Sequence, residues 1–134
     1  MFCRLTMGDC AMPVRTLQHI NIRCIDADAA RDFYVALLGL RAGPRPPFRS
    51  HGYWLYLGDI PVIHLVQRET NEAIASATGP LNHIAFEADD LEGMRQLLQQ
   101  REIAFREAAV PRDGTTQLFL SDLDGVPLEL NFAP

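Results

Sequence analysis

One phrase occurs twice in this chain. Residues 17–22 read LQHINI and residues 81–86 read LNHIAF, which sets His19 and His83 64 residues apart. An internal repeat constrains a fold more tightly than composition does, because each copy must bury an apolar face of the same kind. Over 17–25 the residues alternate: His19, Asn21 and Arg23 on one side, Ile20, Ile22 and Cys24 on the other. In the second copy His83, Ala85 and Glu87 oppose Ile84 and Phe86. A period of two predicts a strand in each.

The segment after each strand repeats too. Asp26 sits where a helix cap belongs, Phe33, Tyr34, Leu37 and Leu38 recur at helical spacing, and Gly39 ends the run. GPRPPF (43–48) reads as a loop or irregular edge. HGYWLYLGDIPVIHLVQ then reads as two strands joined at Gly58-Asp59. In the second copy Asp89 or Asp90 caps LEGMRQLLQQREI, and AFREAAV is a short strand. TTQLFL and VPLELNF are strands joined by SDLDG (121–125), whose Asp-Gly supplies a turn. ETNEAIASATGP (69–80), small and polar, is the link between the copies. The expected organisation is a tail over 1–13 and one domain over 14–134. That domain holds two βαβββ units at about 14–68 and 80–134, an α+β architecture with the helices on one sheet face.

The far ends of the copies match as well. VIHLV (62–66) aligns with PLELN (127–131), so His64 corresponds to Glu129 at a distance of 65 residues. Each is flanked by aliphatics that alternation turns the other way. Burying imidazole or carboxylate without a partner is costly. A divalent metal would satisfy all four side chains at once, since imidazole suits first-row ions and carboxylate completes a set with open positions.

The bulk properties exclude several classes. A net charge of −5 gives no basic field for nucleic acid or anionic lipid, although the arginines between Arg41 and Arg49 leave room for a small anionic ligand. The three cysteines form no CxxC, which favours a reducing cytoplasm over a disulfide scaffold. No apolar run is long enough to span a bilayer, and Arg4, Gly8 and Asp9 interrupt the opening segment where a signal peptide would be apolar.

On these residues the chain resembles the vicinal oxygen chelate superfamily, the glyoxalase / bleomycin resistance / extradiol dioxygenase group. The resemblance runs from about Leu17 to Phe132. It rests on HINI, on NHIAF and on SDLDGVPLEL, which is similar to the family's DPDG…IEL ending with Leu123 where proline is usual. It implies a curved, cupped mixed sheet made of both units, with the helices on its outer face and a metal in the cup. By position, the implied ligands are His19, His64, His83 and Glu129. The ion would be Fe, Mn, Ni, Co or Zn.

His64 departs from the glyoxalase I pattern, where a glutamate usually stands and acts as the proton-transfer base. His19, His83 and Glu129 match the two-histidine, one-carboxylate set of the extradiol dioxygenases. His64 is then either a fourth ligand or a neighbouring acid/base, a role that its near-neutral ordinary pKa suits. Glu129 and His64 are the catalytic candidates. Asn21, Arg23, Glu87 and Asn131 share faces with them and are candidates for the substrate cavity.

Other residues read more plainly. His51 is out of register and belongs at the surface. Tyr53, Trp54 and Tyr56 read as core or dimer packing, Gln117 and Phe119 as weaker cavity candidates, Arg45 and Arg49 as solvated charges, and Cys24 as a small core residue. The resemblance implies one of two functions. One is a metal-dependent enzyme of lyase or ring-cleaving dioxygenase type, acting on vicinal oxygens of a small substrate. The alternative is a non-catalytic, bleomycin-resistance-type binding protein. Either would be a cytoplasmic homodimer.

Overall fold

Asp26 and Gly39 bracket the first helix as the sequence predicts. The Asp26 carboxylate accepts from the Ala29 amide at 3.0 Å, and Gly39 takes the left-handed conformation (φ 70°) that ends helices without steric cost. A computed structural model describes residues 16–69, 78–79, 81, 83–111 and 113–134. The expected tail and nearly all of the 69–80 link lie outside the described residues.

The first unit runs β1 (Ile20–Cys24), α1 (Ala27–Leu38), β2 (Arg41–Gly43), β3 (Gly52–Leu57) and β4 (Ile60–Gln67). The second runs β5 (Ile84–Glu87), α2 (Leu91–Gln100), β6 (Arg106–Ala109), β7 (Thr116–Ser121) and β8 (Pro127–Phe132). Each forms its own four-stranded mixed sheet, in the orders β1-β4-β3-β2 and β5-β8-β7-β6. The first strand lies parallel to the last in both. β1 and β5 start at Ile20 and Ile84, so His19 and His83 stand one residue before the strands that alternation assigned to them.

The core lies between each sheet and its helix. α1 buries Ala27, Ala30, Tyr34 and Leu37 against the face that carries Ile22, Cys24, Leu55, Ile63 and Leu65. Each fully buried large apolar side chain contributes about 1.5–3 kcal/mol. α2 buries Leu98 fully, with Leu91, Met94 and Leu97 partly covered, near Leu118, Leu128 and Leu130. Cys24 is among the most buried residues, as expected, and burial pushes its thiol up to about 12.

The SDLDG turn fastens the second unit to the first. Buried Asp122 accepts from the amides of Asp124 and Val126, both at 2.8 Å, which closes the turn. Its other oxygen accepts from Tyr34 of α1 at 2.7 Å. Asp124 then takes the Ile25 amide at 2.7 Å and lies 3.5 Å from the Arg68 guanidinium. The opposite face of each sheet, turned away from its helix, carries the polar alternates.

Candidate functional site

On the open face of the first sheet, register sets Asn21, His64 and Trp54 side by side on β1, β4 and β3. The His19 ring stacks on His64 at 3.8 Å and 7°, and the Trp54 ring stacks on it at 4.1 Å and 13°. With β4 between β1 and β3, the two rings cover opposite faces of His64, which is 9% exposed. Its edge alone can then meet a ligand.

His64 Nε2 lies 3.1 Å from the Pro61 carbonyl. A carbonyl can only accept, so Nε2 carries the hydrogen and Nδ1 is the acceptor of the neutral ring. Burial, with repulsion from His19 and Arg45, holds the His64 pKa below its ordinary value and favours that neutral form.

In the second unit His83 Nε2 meets Glu129 Oε2 at 3.0 Å. Glu129 is also 9% exposed, and Gln117 Nε2 donates to its other oxygen at 2.7 Å and to Asn131 Oδ1 at 3.1 Å. Gln117, Glu129 and Asn131 share one face of β7 and β8 by register, since Gln117 pairs with Asn131 and Phe119 with Glu129. An amide donor and an imidazole thus satisfy a buried carboxylate.

The four predicted ligands therefore stand as two pairs, His19 with His64 and His83 with Glu129. Among the described residues no three His, Cys, Asp or Glu side chains stand together at ligating range. The donors fit a divalent ion in kind, three imidazoles and a carboxylate, and His83 and Glu129 already meet at 3.0 Å. Asn21, Arg23 and Glu87 are exposed on the same open faces, and Asn131 is half-buried. The edges of β1 and β5 face each other across a cleft of about 140 Å³ that His19, Ile20, Ile84 and Phe86 help to line.

Two residues matter more than the sequence suggests. Trp54, expected as plain packing, is the partner of His64. Pairing register decides this, because it sets Trp54 directly opposite His64 on the open face. Gln117 holds Glu129, which pairing register reveals and periodicity alone does not. Arg45, expected to be solvated, is half-buried, with its guanidinium over Phe48 at 5.0 Å and donating to Ser50. His51 is at the surface as expected, 2.8 Å from Asp28.

Comparison with known proteins agrees with this plan. Residues 18–119 match the model of the Glyoxalase/Bleomycin resistance protein/Dioxygenase superfamily. A glyoxylase I of Arabidopsis thaliana is 29% identical over 121 residues, covering 86% of this chain and 69% of the relative. The mitochondrial methylmalonyl-CoA epimerase of Bos taurus is 28% identical over 129 residues, covering 87% and 74%. The crystal structure of a glyoxylase/bleomycin resistance protein/dioxygenase domain from Frankia sp. EAN1pec superposes with a TM-score of 0.73. It is 19% identical and covers 90% of this chain and 99% of that one, a likeness of fold.

Proposed function

The chain belongs to the Glyoxalase/Bleomycin resistance protein/Dioxygenase superfamily, and from that premise we propose that it is a metal-dependent enzyme acting on a small substrate with two neighbouring oxygens. Lyase- or isomerase-type proton transfer is favoured over ring cleavage, because the two curated relatives are a glyoxylase and an epimerase. The observation that carries the reading is the pairing of His83 with the buried Glu129 carboxylate, held by Gln117 on an open sheet face.

His19, His83 and Glu129 would hold the ion, which when bound would act as a Lewis acid and stabilise charge developing on the substrate oxygens, with His64 beside them as the acid/base rather than a fourth ligand. The chain's own residues do the rest. Gln117 fixes one oxygen of Glu129 and leaves the other to meet a ligand or a proton. Neutral His64 offers Nδ1 as a proton acceptor, and its two ring neighbours hold it in one plane. Asn21, Arg23, Glu87 and Asn131 would contact the rest of the substrate. The reading includes a homodimer in the cytoplasm. No helix among the described residues is long and apolar enough to cross a membrane.

A second reading, a binding protein without catalytic metal, draws on the separation of the donors into two pairs. Elemental analysis separates the two. Protein purified without chelator or affinity nickel, then reconstituted with Fe, Mn, Ni, Co or Zn, is expected to retain close to one ion per chain. The double variant His83→Ala, Glu129→Ala is expected to retain far less. Equal, negligible metal in both would overturn the enzyme reading and leave the binding protein.

A further inference from the structure

All twelve cationic side chains of this chain are arginines. Three of them sit on the helix side or beside the SDLDG turn, and each faces a carboxylate. Arg31 meets Asp32, Arg68 meets Asp124, and Arg95 meets Glu92 and Glu107. Arg41 and Arg106, on the open sheet faces, have no carboxylate partner among the described residues. Each lies over an aromatic ring instead: Arg41 over Tyr56 at 4.9 Å, Arg106 over Phe119 at 4.3 Å.

The arrangement repeats. Arg41 and Arg106 are 65 residues apart, the same offset as His64 and Glu129. Each is the first residue of the outermost strand of its sheet and pairs directly with its ring across the ladder. In an acidic chain, two guanidiniums with no carboxylate partner among the described residues, each held over a ring at a matching place, have a geometry suited to a ligand. A guanidinium stacked on a ring keeps its forked N–H edge free for an oxyanion and has already lost part of its rotamer freedom.

Arg106 is the better placed of the two. One register row carries Glu129, Phe119 and Arg106 on β8, β7 and β6. Two strand spacings, about 9–10 Å, separate its ends. His83, Phe105, Arg106, Phe119 and Ser121 line one open cavity of about 700 Å³, so the guanidinium and His83, which meets Glu129 at 3.0 Å, adjoin the same space. Arg106 is the only arginine lining that cavity. One such charge with two parallel donors matches a carboxylate.

We propose that Arg106 is an anion-recognition residue, which directs this site to substrates bearing a carboxylate at the far end from their oxygen pair. The inference rests on the enzyme reading above for the position of the oxygen pair. Phe119 forms the floor between the two ends, and Arg106 binds the distal group without touching the reacting atoms.

Calorimetric titration with 2-hydroxyglutarate and 2-hydroxypentanoate tests this, since the two acids share a chelating head and differ in the distal carboxylate. Metal-replete protein is expected to bind the first at least about tenfold more tightly, in the range of a charge-assisted bidentate contact. Arg106→Gln should abolish the preference and leave 2-hydroxypentanoate affinity unchanged, and Arg41→Gln should leave the preference intact. The proposal is overturned if wild type shows no preference, if the preference survives Arg106→Gln, or if neither acid binds at millimolar concentration. The His83→Ala, Glu129→Ala variant distinguishes the premise. Should it and the wild type both lack metal and bind 2-hydroxypentanoate equally, the enzyme reading fails. An Arg106-dependent preference seen under those conditions would still support anion recognition.

Discussion

In the first unit the central polar residue is held by rings, and in the second by hydrogen bonds. His64 lies between His19 and Trp54, whereas Glu129 lies between His83 and Gln117. The backbone plan is the same: a parallel pair of first and last strands, an antiparallel hairpin, and a helix behind. The difference comes from the side chains. A neutral imidazole can be buried against flat apolar rings at little cost, because it needs partners at its two nitrogens only. A carboxylate cannot, since it needs a donor at each oxygen. The repeated frame therefore supplies two unlike tools, a neutral proton acceptor on one sheet and an anionic ligand on the other.

The comparison breaks most completely at Glu129. Glu129→Ala removes the sole carboxylate of the proposed ligand set and leaves Gln117 with Asn131 as its remaining acceptor. Metal retention after desalting is expected to fall to background, while His19→Ala, on the more exposed side of the first unit, should leave a measurable fraction. Inductively coupled plasma analysis of both variants gives the answer. Retention by Glu129→Ala at wild-type level would mean that the second unit does not supply the ligands.

The link between the units gives the next effect. Tyr34→Phe deletes one hydrogen bond to buried Asp122, the contact that ties the SDLDG turn to α1. Bonds to charged groups contribute about 1.5–3 kcal/mol, and the remaining amide donors at Asp122 keep the loss within that range. Urea unfolding should show the midpoint falling with an unchanged slope. A fall in the slope itself would mean that the units had begun to unfold separately.

Much of this plan is legible in the sequence, for a simple reason. Alternation and the 65-residue offset report which face a residue takes, and faces are what a sheet preserves. His64, Glu129, Asn21 and Asn131 are accordingly on the open faces where the repeat places them. The distance between the two open faces is set by contacts such as the latch at Asp122 and Asp124, long-range contacts that leave no period in the chain. For the same reason Tyr34 reads as an ordinary core aromatic until its hydroxyl is seen to reach 88 residues along the sequence. Trp54 and Gln117 stand out only in three dimensions, because their roles depend on which residues pair across neighbouring strands.

Gln117 sharpens the comparison from the other side. Its amide holds Glu129 as outer-sphere partners hold metal ligands, and losing such a partner costs about 10–100-fold in metal affinity. Gln117→Leu keeps the size and removes the donor, and competition with a chromogenic chelator reads the affinity. Trp54→Phe keeps a ring over His64 and should change metal affinity by less than Gln117→Leu does. An equal loss in both would mean that the rings of the first unit hold the site as strongly as the hydrogen bonds of the second.

The smallest effect concerns protonation of His64, and the only tryptophan of the chain is stacked on it. In chelator-treated protein, Trp54 emission should change as His64 takes a proton, with a midpoint below the ordinary histidine value near 6.5, because burial, His19 and Arg45 all disfavour the cation. Stability changes over the same range. As pH falls through about 6.5 the unfolded chain binds a proton at this position while the folded chain does not, so stability declines. The decline stops once the pH passes below the lowered folded value and both states are protonated. His64→Gln should abolish the fluorescence transition and flatten this part of the stability profile. A Trp54 midpoint at or above 6.5 would show that the stacked rings do not hold His64 neutral. The first unit would then offer an imidazolium, a proton donor, in place of the acceptor proposed for it.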